Sequence, residues 1–69
     1  MEVTLYSNHC PQCKYLKSLL GLKKDITVIN EVNDEDLMKS MGMMSMPQLE
    51  VNGKIMIYAD VLQWIKTIN

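Results

Sequence analysis

Asn52-Gly53 stands between Gln48-Leu49-Glu50-Val51 and Lys54-Ile55-Met56-Ile57-Tyr58, two runs rich in apolar strand formers. Asn-Gly in that setting is the strongest short hairpin signal, because a two-residue turn between twisted strands needs positive φ at both positions. The last third of the chain is therefore committed to an antiparallel strand pair. A hairpin alone cannot bury enough surface to persist in water, so the preceding residues must supply partners for it.

They do so in an alternating order. Val3-Thr4-Leu5-Tyr6 reads as a first strand. From Pro11 to about Leu20 the pattern turns helical, with Leu16, Leu19 and Leu20 at i, i+3 and i+4. Pro11 suits a first helical turn and Gly21 a stop. Ile26-Thr27-Val28-Ile29 reads as a buried second strand. Asn33-Asp34-Glu35-Asp36 then gives an N-cap and first-turn acids for a second helix, expected to turn Leu37, Met41 and Met44 inward and to end near Gly42. Asp60 is the expected N-cap of a last helix burying Val61, Leu62, Ile65 and Ile68. The order β-α-β-α-β-β-α predicts an α/β fold: one four-stranded mixed sheet with three helices on its two faces, the first two strands parallel across a helical crossover.

With 69 residues the chain holds one domain, residues 1–69. Its hydrophobic fraction of 48% is enough for one core. The net charge of -1, from seven Lys and eight acids, leaves no basic patch for nucleic acid. No apolar run approaches a membrane span. The first residues lack the basic and long apolar regions of a signal peptide, so the reading is a cytoplasmic protein.

The two cysteines, Cys10 and Cys13, lie in Cys10-Pro11-Gln12-Cys13, between the first strand and the first helix. A bridge between them closes a tiny loop and constrains the unfolded chain little. In a reducing compartment such a pair is more often catalytic or metal-binding than structural. Exchange needs a thiolate. Cys10, just before a helix N-terminus and near Lys14, sits where negative charge is favoured, which lowers its pKa. Cys13 is one turn further in and more shielded. Cys10 is thus expected to attack a substrate disulfide, and Cys13 to resolve the mixed disulfide. A zinc site needs four ligands, whereas only His9, Cys10 and Cys13 are in reach, and Lys14 occupies the place where haem attachment needs His.

A second motif, Ser45-Met46-Pro47, precedes the third strand. Together with Tyr6 to Cys13 and the element order, it makes nearly the whole chain resemble glutaredoxins and glutaredoxin-like redoxins, which have the thioredoxin fold. The resemblance implies a thiol–disulfide oxidoreductase acting as a dithiol electron donor, with a redox-active Cys10–Cys13 disulfide and no bound cofactor or metal. It implies a cis Pro47, with the backbone of Met46 turned toward Cys10 to pair with a peptide-like substrate. Pro11, Gln12 and Tyr6 would flank the substrate, and Asp60 matches the acidic position that receives the glutathione amine. Two glutathione contacts are missing: Met56-Ile57 replaces the usual Gly-Gly, and Ser7-Asn8 stands where a Lys is common. The implied partners are a disulfide-containing protein and either glutathione or a thioredoxin reductase as reductant, with the chain itself a monomer. The alternative is a small metal- or iron–sulfur-binding redoxin using the same two thiolates.

Other residues have plainer readings. His9 could support a thiolate when protonated but reads as an exposed loop side chain. Met38, Met41, Met43, Met44 and Met46 cluster in sequence, and thioethers suit Cu(I). Leu37, Met41 and Met44 keep helical core spacing, and Met is a common gap-filler, so core packing is the reading preferred. A methionine-lined groove beside Cys10 would still accept apolar substrate surface. Tyr15 reads as surface packing and Trp64 as partial packing on the last helix.

Overall fold

The computed structural model describes residues 1–69. It contains β1 (Glu2–Tyr6), α1 (Pro11–Gly21), β2 (Val28–Val32), α2 (Glu35–Ser40), β3 (Gln48–Val51), β4 (Lys54–Ile57) and α3 (Tyr58–Trp64), with a 3-10 turn over Ile65–Thr67. The four strands form one mixed sheet in the order β2-β1-β3-β4. β1 pairs parallel with β2 and antiparallel with β3, and β3 pairs antiparallel with β4. The hairpin turn is the expected one: Asn52 and Gly53 have φ of 52° and 82°, and Val51 faces Lys54.

Side chains alternate across a strand, so each strand divides its residues between the two faces of the sheet. One face carries Val3, Leu5, Leu49, Val51 and Met56, packed against Leu16 and Leu20 of α1 and Val61 of α3, with Ile65 beyond it. This is the main core. Leu16 and Leu20, and Val61 and Ile65, stand four apart on their helices, the spacing that stacks side chains on one helical face. The other face carries Tyr6, which meets Met38 of α2 and Met43 in a smaller cluster. On α1's side, the Lys17 ammonium reaches the Glu31 carboxylate at 2.8 Å, and this cation holds the Glu31 carboxyl below its usual range.

Four expectations are corrected. First, β2 begins two residues late, at Val28, and is an edge strand that stays half exposed. Its β-branched run signals burial, but only one neighbour covers it. Second, α2 is six residues long and buries Met38 at 2% exposure, whereas Leu37 and Met41 are 46% and 42% exposed and Met44 is 95% exposed. A helix of under two turns presents one residue to the sheet. The chain then turns at Gly42, φ 79°, which brings in Met43 instead. Asp34 does cap this helix, its Oδ1 accepting from Leu37 N–H at 3.1 Å.

Third, Asp60 is not an N-cap. β4 runs straight into α3, Ile57 occupies the cap position without a side-chain hydrogen bond, and Asp60 falls in the first turn. An acid there still favours the helix dipole. Fourth, only Val61 and Ile65 of the last helical segment are buried, while Leu62 and Ile68 are half-buried. Gly21 is the last residue of α1, and Leu22 forms its C-cap.

Candidate redox site at the first helix N-terminus

β1 ends at Tyr6, and four residues carry the chain from the sheet to α1. Ser7 is buried, and its N–H donates to Val32 C=O at 2.9 Å, extending the contact with β2 by one residue. Its Oγ accepts from His9 N–H at 3.1 Å. His9 takes φ 63°, in the left-handed region where His is among the more tolerated non-glycine residues. That single turn delivers Cys10 to the N-cap of α1 and Pro11 to its first turn.

The two cysteines are joined at disulfide distance, with Cα atoms 5.0 Å apart. Cys13 is buried at 1% exposure, and Cys10 is half-buried. The Cys10 Sγ accepts from Cys13 N–H at 3.1 Å, one of the amides that a helix start leaves unpaired. A thiolate at Cys10 would gain from that donor and from the helix dipole. Lys14 is exposed and in no ion pair, so the backbone, not an ammonium, supplies the observed contact to Cys10 Sγ. The Cys13 Sγ stands 3.4 Å from Asn8 Oδ1.

Met46–Pro47 is a cis peptide. Pro47 is buried, and Gln48 beside it is also buried, its Nε2 donating to Ser45 C=O at 3.0 Å. Met46 is half-buried, and neither its N–H nor its C=O has a partner within the chain. Asn8 and Met46 line one groove of about 230 Å³, which ties the Cys loop to the Ser45–Pro47 loop.

The remaining named residues lie apart from this grouping or at its surface. Pro11 and Gln12 are exposed. Tyr6, expected to flank a substrate, is a core residue instead: it is buried and its hydroxyl donates to Glu50 Oε1 at 2.7 Å. That bond, burial and the nearby carboxylate all raise its pKa above the usual phenol range. Asp60 is exposed and makes no side-chain hydrogen bond or ion pair. Met56 is turned into the main core, so only Ile57 of that pair is exposed. His9 and Tyr15 are exposed and Trp64 is half-buried. Sequence reading gave no site role to Asn8, noted only where a Lys is common, or to Gln48, read only as a strand residue. A small polar residue two before a Cys pair, and an amide just after a buried Pro, are the only marks they leave.

Compared with protein-family models, curated proteins and solved structures, the chain matches none. No helix is long and apolar enough to cross a membrane.

Tyr6→Phe is expected to cost about 1.5 kcal/mol, the scale of a hydrogen bond to a charged acceptor. The raised folded pKa fixes the sign of the pH effect. The stabilisation is fully present below the unfolded phenol value near 10 and is lost as pH rises through the higher folded value. Wild-type and Tyr6→Phe urea midpoints should therefore converge in strongly alkaline solution and differ at neutral pH. A constant difference across that range would contradict the assigned bond.

Proposed function

We propose that the chain is a thiol–disulfide oxidoreductase of glutaredoxin-like, thioredoxin-fold type, acting as a dithiol electron donor. The observation that carries this reading is the unequal pair at a helix N-terminus: a half-buried Cys10 whose Sγ accepts a backbone N–H, and a buried Cys13 one turn on. The strand order, with β1 flanked by a parallel and an antiparallel neighbour, supports it.

In the reduced protein the Cys10 thiolate attacks one sulfur of a substrate disulfide. A new S–S bond forms to Cys10, and the substrate's other sulfur leaves as a thiolate. Cys13 then loses its proton, which passes to solvent, and attacks the Cys10 Sγ. That step expels the second substrate thiolate and leaves the Cys10–Cys13 disulfide. Two electrons pass from the dithiol to the substrate, whose two thiolates take up protons. Cys13 reacts only with the adjacent mixed disulfide, which suits its burial. The free N–H and C=O of Met46 are available to pair with an extended substrate backbone.

The donor set of one chain does not fit a zinc or iron–sulfur centre. Such centres call for four ligands, and no three His, Cys, Asp or Glu side chains are grouped to hold a metal.

The test is reduction of insulin disulfides under NADPH, with either glutathione plus glutathione reductase or a thioredoxin reductase as recycling system. We expect turnover, and faster turnover with the thioredoxin reductase. Asp60 is the one charged glutathione contact retained, and it is exposed, so it holds the tripeptide weakly. Glutathione-supported turnover as fast as that of an ordinary dithiol glutaredoxin would overturn the recycling assignment. No acceleration of insulin reduction over dithiothreitol alone would overturn the function.

A further inference from the structure

We infer that the groove beside the Cys pair selects disulfides in extended polypeptides that carry a large apolar side chain next to the reacting cysteine. This rests on the oxidoreductase reading and names its substrate class.

The groove is lined by four methionines, Met38, Met43, Met44 and Met46, together with Asn8 and Ser45, and by Glu35 and Lys39 of α2. It is linked to the Cys pair through Asn8, which lines it and also stands 3.4 Å from the buried Cys13 Sγ. A substrate bonded to Cys10 that pairs with the Met46 backbone lies along the groove, because Met46 lines it. Its volume of about 230 Å³ is below the range of pockets that enclose a whole small-molecule ligand, about 300 Å³ and up. It has room for one or two side chains, not for a helix.

The lining fixes the chemistry of the occupant. Unbranched thioethers adapt their shape to varied apolar groups, and surfaces that accept several apolar sequences use them for that reason. Met38 and Met43 form a packed floor, against Tyr6, whereas Met44 is 95% exposed and free to close over an occupant. Glu35 and Lys39 stand at the spacing that usually pairs on a helix, yet neither is in an ion pair, and both face the groove. One charge of each sign at the rim suits the neutral amide backbone of a peptide better than a free carboxylate or amine. The unpartnered N–H and C=O of Met46 add two hydrogen bonds to an extended chain at the same edge.

The experiment uses the pre-reduced full chain in single-turnover mixing. The probes are two peptide homodisulfides, of acetyl-Leu-Cys-Leu-amide and acetyl-Gly-Cys-Gly-amide, and bis(2-hydroxyethyl) disulfide. We expect the leucine peptide to be reduced about tenfold faster than the glycine peptide, the low end of what one apolar side chain in a pocket provides. Met44→Asp should cut that ratio to about twofold, and Met44→Leu should restore it. Met44 is outside the core, so neither change threatens folding. Equal rates for the two peptides, with the hydroxyethyl disulfide still reduced, would overturn the inference and leave the oxidoreductase reading standing. A ratio unchanged in Met44→Asp would overturn the groove as its cause. Failure to reduce all three probes would overturn both readings.

Discussion

Cys10→Ser is expected to bring disulfide reduction down to background, whereas Cys13→Ser retains the first chemical step and stalls after it. The difference follows from position. Cys10 is half-buried at the N-cap, with a backbone N–H directed at its sulfur. Cys13 is enclosed in α1 against the body of the protein. Removing the half-buried sulfur removes the more accessible of the two thiols. Removing the enclosed one leaves Cys10 able to form the mixed disulfide but unable to release it. Cys13→Ser should therefore accumulate a covalent adduct with substrate, visible as a thiol-sensitive band on a non-reducing gel, and Cys10→Ser should not. Equal trapping by the two variants would contradict the asymmetry.

The second large effect concerns stability. Leu16→Ala is expected to cost about 2–5 kcal/mol, the usual range for emptying a fully buried leucine site. Leu16 has no exposed surface and lies in the cluster that joins α1 to Leu5 and Leu49 of the sheet. A domain of 69 residues has roughly 3–10 kcal/mol of total stability. The substitution removes a large share of that, and the thermal midpoint should fall by roughly 14–35 °C. The same change at Leu37 should cost well under 1 kcal/mol, since that side chain is 46% exposed. Parallel melting curves of the two variants check the assigned face of each helix. A Leu37→Ala effect as large as that of Leu16→Ala would show the α2 face to be wrongly assigned.

That pair of leucines also shows where sequence reading succeeds and where it stops. In α1, eleven residues give three turns, enough for Leu16 and Leu20 to define a buried stripe that Leu19 borders. The Asn52-Gly53 turn is equally readable, because two positive φ angles in succession demand those residues. In α2 the same periodic reasoning selects Leu37, Met41 and Met44, although the helix ends at Ser40. Past that point the path is set by Met41, Gly42 and the packing of Met43 on Tyr6. Asp60 misleads for a related reason: cap residues mark helix starts only where a loop precedes the helix, and here the strand passes into the helix within one residue.

The site divides along the same line. The Cys pair and its placement at a helix start are local, and four consecutive residues announce them. Burial of Cys13 comes from the packing of α1 on the sheet, and the approach of Asn8 to it and the support of Ser45 by Gln48 are made within irregular turns. Pairwise placement of that kind leaves no periodic trace. Tyr6 carries a warning too. It adjoins the motif in sequence, yet its hydroxyl is engaged across the sheet with Glu50.

The most direct measurement is to mix the reduced wild-type chain with a disulfide-bonded peptide, quench in acid within the first turnover, and map which cysteine carries the peptide by mass spectrometry. The adduct is expected on Cys10, decaying as the Cys10–Cys13 disulfide appears. An adduct found first on Cys13, or oxidation of the pair with no peptide thiol released, would contradict it.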